Sequence, residues 1–297
     1  MQNSMSLLKK HVYNSLKLPL PQTLYDVTKI RLAHGKQFPF ETASQARIED
    51  LHRAKVLIKG TDSVSRIGRI LDNLTVHDVM PLSFASSAYY RVLRLRLVGE
   101  IARLILEELC DLRIVSFTIV PPKLRIPIGE LETFAGDKAM NMLRRLLRRH
   151  GLDSMDGFLF AGLHGESDGE YYQLHFHGVA VGETVAVLDR LRASPSLKPY
   201  PDVILPLKIR TMEGTTDIKS LLIWLTYCLQ SFWPFRPRFV GADGQIKRSR
   251  EKTRLPETQE LEFLTWMSKR NLGELTLFYG SKWERVDGKV RLKASAV

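Results

Sequence analysis

Apolar positions along this chain recur with changing period, and each change marks an element. Arg113 to Val120, RIVSFTIV, is β-branched and apolar and is closed by Pro121 and Pro122, which predicts a strand. From Phe134 to His150 the period lengthens to that of a helix: Met140, Met142, Leu143, Leu146 and Leu147 share one side, Arg144, Arg145, Arg148 and Arg149 the other, and Gly151 stops it. Gly157 to Glu166, GFLFAGLHGE, and Tyr171 to Gly182, YYQLHFHGVAVG, are apolar strands flanking Ser167 to Glu170, SDGE, whose Asp-Gly pair favours a tight hairpin. The second of these strands is apolar enough to be buried on both faces. Thr184 to Ala193 predicts a short helix, Val203 to Met212 a strand, and Thr216 to Phe232 a helix ended by Pro234.

The flanks are less regular. Met5 to Leu20 is basic and partly apolar, PLPQ at Pro19 to Gln22 interrupts it, and Ala43 to Ile70 carries mixed charge at helical spacing. Tyr89 to Leu112 reads as a helix, although Arg91, Arg94 and Arg96 alternate with apolar residues in a way a strand would also satisfy; as a helix, these arginines belong on a solvated face. Pro256 to Asn271 predicts a helix and Leu275 to Tyr279 a last strand.

The order from Arg113 is β-α-β-β-α-β-α. Its first six elements match the ferredoxin-like split βαβ arrangement, an α+β fold in which an antiparallel sheet carries helices on one face and the first and third strands lie side by side. Three segments follow: a mainly helical, basic N-terminal extension over 1–111, a core over 112–234, and a basic C-terminal extension over 235–297.

Charge adds a partner class. Lys and Arg number 44 against 32 Asp and Glu, a net +12, which suits a polyanion such as nucleic acid. Hydrophobic content of 44% and charged content of 26% are ordinary for a folded domain. The two cysteines, Cys110 and Cys228, are far apart and offer neither a disulfide framework nor a thiolate cluster. With no leader and no apolar run of about 18 residues, a cytoplasmic chain without a membrane partner is expected.

The candidate chemistry lies in the hairpin. His175 and His177, two apart on a strand, point to one face and can share a ligand, and neutral imidazole binds divalent ions. If Asp168 and Gly169 form the turn, Glu166 pairs with Tyr171, His164 with Gln173 and Gly162 with His175. Glu166 and His164 then both share the face of the histidine pair, and either could be a third ligand. The last helix of the core carries Tyr227, with Gln230 one turn on. A tyrosine in a helix that also contains Trp224 and Leu225 is ordinarily a core residue, but a metal, a hydroxyl and a basic groove together would serve phosphoryl transfer.

HFHGV after an apolar hairpin strand, then a strand and a helix bearing tyrosine, resembles the HUH single-strand endonucleases, particularly the replication-initiation proteins of rolling-circle plasmids and filamentous phages. Over Leu112 to Pro234, Val115 to Val120 looks like the family's first motif, His175 and His177 match its His-hydrophobe-His motif, and Tyr227 matches the tyrosine of its third. The resemblance implies nicking and religation of single-stranded DNA through a 5′-phosphotyrosine at Tyr227. It also implies magnesium or manganese, with zinc usable in vitro, held by His175, His177 and a third ligand. A carboxylate nine residues before the first histidine occurs in some members, which favours Glu166 with His164 as the alternative. Where the family usually has lysine three residues after the tyrosine, this chain has Gln230, so Lys219, Lys208 or Arg210 would have to supply the charge. Origin DNA, and with it a host helicase or polymerase, would be the partners.

Arg236, Arg238, Lys247, Arg248 and Arg250, interleaved with Phe235 and Phe239, extend the basic surface and are candidate DNA contacts with Lys208, Arg210 and Lys219. The other readings are a catalytically weakened DNA-binding relative, an HUH-type transposase, and an unrelated ferredoxin-like RNA-binding domain. The last lacks the aromatic strand signature such domains use.

Overall fold

A computed structural model of the chain describes residues 41–74, 83–199, 205–212, 218–242, 244–287 and 289–295, with the side chains of 218–220 and 289 left undescribed. The readings of Met5 to Leu20 and of Pro19 to Gln22 lie outside these residues, as do the first two residues of each of the elements predicted at Val203 and Thr216.

The architecture is mixed α/β, with an antiparallel sheet and eight α-helices among the described residues. In chain order, helices α1 (Ala43–Leu57), α2 (Asp62–Asn73) and α3 (Ser87–Glu108) precede strand β1 (Ile114–Ile119) and the short β2 (Arg125–Pro127). Helix α4 (Gly136–Arg149), strands β3 (Gly157–Ser167) and β4 (Tyr171–Gly182), helix α5 (Thr184–Arg192), strand β5 (Leu207–Thr211) and helix α6 (Ile218–Tyr227) follow. Then come the β6 (Arg238–Val240) and β7 (Ile246–Arg248) ribbon, helices α7 (Glu257–Ser268) and α8 (Leu272–Leu275), strand β8 (Thr276–Tyr279) and the hairpin of β9 (Ser281–Val286) and β10 (Lys289–Ala294).

The main sheet runs β5-β1-β4-β3-β8 with every neighbouring pair antiparallel, and β2 adds to β4. Strand β4 is buried on both faces, which is why its sequence is so continuously apolar. On one face Val115, Phe117, Leu159, Leu163, Leu174 and Phe176 pack under α4 and α5, in a cluster that continues into Leu57 of α1 and Trp266 of α7. Residues beyond 235 therefore contribute both to this core, through α7, and to the sheet, through β8 pairing with β3.

The opposite face is not open. Ile114, Phe158, Phe160, Val179 and Val181 line one end of it, and α3 and α6 cover them through Val98, Ile101, Ile105, Leu221, Leu222 and Leu225. Each such side chain is worth roughly 1.5–3 kcal/mol when removed from water, so an uncovered face would cost far more than packing two helices there. Helices thus pack on both faces, where the ferredoxin-like arrangement predicts them on one.

Helix α3 wins over the alternative strand because its first turn is capped: Ser86 Oγ accepts from Tyr89 N–H, and the Asp50 carboxylate accepts from Ser86 Oγ–H and from Ser87 and Ala88 N–H at 3.0, 2.5 and 3.2 Å. Its arginines are not the solvated row the sequence suggested. Arg94 is buried against Glu41 at 2.7 Å, and Arg91 Nε donates to the Glu41 carbonyl at 2.6 Å. No described helix is long and apolar enough to cross a membrane.

Candidate metal centre

The hairpin register differs by two residues from the one predicted: His164 pairs with His175, Gly162 with His177 and Glu166 with Gln173. Asp168 causes the shift. Its Oδ1 accepts from the N–H groups of Glu170 and Tyr171 at 3.1 and 2.9 Å, making Asp168 the first residue of the turn and placing Gly169, at φ +100°, first of its central pair. A slip of two keeps every side chain on its predicted face, but it sets His164 directly opposite His175.

Three imidazoles therefore converge. Ring centroids lie 4.9 Å apart for His164 and His175, 4.7 Å for His175 and His177, and 5.7 Å for His164 and His177. All three are buried, at 3, 7 and 4% exposure for His164, His175 and His177, and one ligand nitrogen from each lies within 4.8 Å of the others.

Hydrogen bonding to the outward nitrogens decides what the inward ones are. His175 Nδ1 faces the Gln173 carbonyl at 3.1 Å and His164 Nε2 faces the Phe232 carbonyl at 3.2 Å. A carbonyl only accepts, so those nitrogens carry the protons, and His164 Nδ1 and His175 Nε2 are left as lone pairs 3.1 Å from one another. His177 Nδ1 bonds Thr118 Oγ1 at 2.9 Å on β1, and its buried Nε2 has no partner. Anchored outer nitrogens with inner lone pairs aimed at one point are what a metal-binding histidine set requires. The His164 and His175 lone pairs, both acceptors, face each other in a buried site.

Protonation does not relieve this. Burial first, then the charges of His175 and Lys252, hold His164 well below the ordinary imidazole value. Burial, then His175, His164, Lys252 and Lys208, do the same to His177. His175 is lowered by burial as well, though Glu166 opposes it. The residues fit a divalent ion of the kind imidazole binds.

Glu166 shares the face, as expected, but its carboxylate is engaged elsewhere. Arg248 Nη1 lies 2.7 Å from one oxygen and Arg236 Nη1 3.2 Å from the other. Burial would raise its pKa, but the charges of His175, Arg236 and Arg248 outweigh that and hold it low. The third nitrogen in the converging set is His164. Two residues on, Asp168 meets Arg238 at 2.9 Å, Arg248 at 3.2 Å and Arg125 at 3.5 Å, and Glu170 meets Arg238 at 3.1 Å. Three of the arginines picked as DNA contacts, Arg236, Arg238 and Arg248, thus pin the β6–β7 ribbon to the hairpin turn.

Helix α6 brings Tyr227 to the triad. Its ring centroid is 4.6 Å from that of His177, and Trp224, 6.0 Å from the same imidazole, donates its indole N–H to the Gly178 carbonyl at 2.8 Å. Gly162, across the sheet from His177, permits this approach: a Cβ there would drive into the Cys228 carbonyl just past the helix. Burial, then Glu166 and Cys228, raise the phenol's pKa, while Arg236 and Arg210 act to lower it.

Gln230 does not sit one helical turn on, because α6 ends at Tyr227. Its side chain is buried against His164, with Oε1 lacking a partner. The cation at the tyrosine is Lys252, whose Nζ stands 5.7 Å from the Tyr227 ring centroid. Two backbone ties carry it there: Ser167 N–H to the Pro234 carbonyl with Arg236 N–H to the Ser167 carbonyl, and Phe235 paired with Thr253 in both directions. Lys252 was visible in the sequence only as one more charge in a basic stretch.

Lys208 and Arg210 lie exposed on β5, opposite Thr118 and Ser116 of β1, on the face of the histidines. Lys247 is exposed on β7 of the ribbon and Arg250 is exposed just past it, and the Lys219 side chain lies outside the described residues. No protein-family model matches the chain. No curated protein and no solved structure matches it either.

Proposed function

We propose that the chain is a metal-dependent single-strand endonuclease and strand transferase of the HUH type, with a ferredoxin-like core, acting in rolling-circle initiation. The order β5-β1-β4-β3 supports this core, because numbering the four principal strands by sequence gives 4-1-3-2, the split βαβ arrangement. The observation that carries the function is the convergence of three buried imidazoles, two with inward lone pairs and the third with an unpartnered Nε2, beside a phenol, with lysine and arginine around both.

In this reading His164, His175 and His177 hold a divalent ion, which would draw charge off the scissile phosphate and orient it. Three nitrogen donors suit zinc and manganese better than magnesium, which prefers oxygen. Tyr227 attacks phosphorus and the bond to the 3′-oxygen breaks, so one phosphoester replaces another. The proton leaving the phenol is matched by the one the freed 3′-oxygen takes up. Because Tyr227 rests protonated, the charges of Lys252, Arg210 and Arg236 favour its developing oxyanion, and Lys252, Arg210 and Lys208 take the part of the cation missing at Gln230. Because the imidazoles are buried and α6 lies against them, an unpaired strand and not a duplex is the substrate this reading requires.

Incubation with a randomised single-stranded DNA library and manganese should give a denaturation-resistant adduct that disappears in Tyr227→Phe. Absence of any adduct, or an adduct unchanged in that variant, would overturn the proposal. Gln230 is the one feature favouring a relative that binds without cutting, and library binding without adduct would select it.

A further inference from the structure

A cavity of about 430 Å³ lies beside the histidine and tyrosine site, walled by α1, the start of α3, the stretch from Ser231 to Trp233, the stretch from Lys252 to Leu255, and α7. Two of its lining residues also touch that site. Phe232 supplies the carbonyl bound by His164, and Lys252 stands over the Tyr227 ring. A strand whose phosphate reached the triad would have a neighbouring nucleotide at this mouth.

The lining says what would enter. Glu41, Glu49 and Glu260 face Arg53, Arg254 and Lys252, three charges against three. The carboxylates are already bound: Glu49 by Arg53 at 2.9 Å and Arg254 at 2.6 Å, Glu260 by Arg254 at 2.7 Å, and Glu41 by Arg94 at 2.7 Å. Burial would raise Glu49, yet its hydrogen bond from Arg254 and the charge of Arg53 outweigh it and hold the group at about 2. Charges so balanced attract neither a free anion nor a free cation. They do offer carboxylate acceptors to a neutral donor, notably Glu41 Oε2, whose contact with Arg94 is a long 3.4 Å. Phe232 lines the same space with 45% of its surface exposed, a large apolar ring left available for stacking in a basic protein. The volume falls within the ~300–1,000 Å³ of small-molecule pockets.

We infer that this cavity is a nucleobase subsite that takes an unpaired base next to the reacting phosphate, stacks it on Phe232 and reads its N–H edge with Glu41. Guanine, with adjacent ring and amino N–H donors, fits a carboxylate best. Thymine, with a single N–H flanked by carbonyls, fits it worst. The inference deepens the nuclease reading and rests on it for the identity of the strand, but base binding can be measured without cleavage.

Two measurements test it. Titrating the full chain with 2′-deoxyguanosine and separately with thymidine, followed by tryptophan fluorescence, should show the former binding about tenfold more tightly. That preference should disappear in Glu41→Gln, and binding of both should weaken in Phe232→Leu, with an unchanged circular dichroism spectrum as the check on folding. Equal affinities in the unaltered chain, or a preference unchanged in both variants, would overturn the subsite. Sequencing adducts from the randomised library should then show guanine enriched at one position adjoining the cut. Failure of all adduct formation with guanosine preference intact would sink the nuclease reading alone, and adducts with no adjoining preference would sink the subsite alone.

Discussion

Two polar clusters lie side by side on strand β3, two residues apart, and they are opposites. Around Glu166 and Asp168 every acid meets arginine: Glu166 with Arg236 and Arg248, and Asp168 with Arg125, Arg238 and Arg248. Around His164 the groups are neutral, buried and turned with their lone pairs toward each other, with His177 Nε2 unpartnered. The first cluster is complete without a ligand and so serves the fold. The second carries a desolvation cost that a bound cation would offset, so its residues fit one. Sharing a strand and a face with the triad did not make Glu166 part of it.

The comparison predicts a double dissociation. His177→Ala should lower metal affinity and adduct yield by at least about 10³-fold, at a cost to the metal-free protein of about 1–3 kcal/mol for the Thr118 hydroxyl it strands and the cavity it leaves beside Tyr227. Asp168→Ala should do the reverse: stranding Arg238 and Arg248 costs about 3–5 kcal/mol, read as a fall in denaturation midpoint, with metal stoichiometry unchanged in the folded fraction. Gly162→Ala tests the link between β3 and α6. Displacing Tyr227 by about 1 Å should cost about 10²-fold in adduct yield at a stability cost of about 1–3 kcal/mol, with metal binding kept.

The smallest effect concerns pH. The three imidazoles sit below their ordinary value of 6.5 in the folded chain, so the unfolded chain binds more protons as pH falls through that value. Metal-free stability should therefore be full above it and decline below it, by up to about 1.4 kcal/mol per pH unit for each proton. His177→Ala should flatten that slope in urea unfolding at pH 7 and 5.5.

Much of the path to the site was legible because it is local. Alternation in YYQLHFHGV put His175 and His177 on one face, and the β-branched run before Pro121 with the 3.6 period after Phe134 fixed β1 and α4. The choice of third ligand was not local. Glu166 and His164 were equivalent in spacing, and what separates them is a pair of arginines 70 and 82 residues downstream of Glu166. The register slipped because a side chain, Asp168, defines the turn. Helices were expected on one face only, because the cover over Phe158 and Phe160 comes from α3, in the segment read as an extension. Lys252 arrives through backbone pairing at Phe235 and Thr253, which no periodicity announces.

The central claim is that the converging lone pairs form one metal site. Titrating the metal-free chain with zinc and with manganese by calorimetry tests it most directly. The account predicts one ion per chain and loss of binding in each of His164→Ala, His175→Ala and His177→Ala, with Glu166→Gln retaining it to within about tenfold. No binding, or binding that survives His164→Ala and fails in Glu166→Gln, would contradict it.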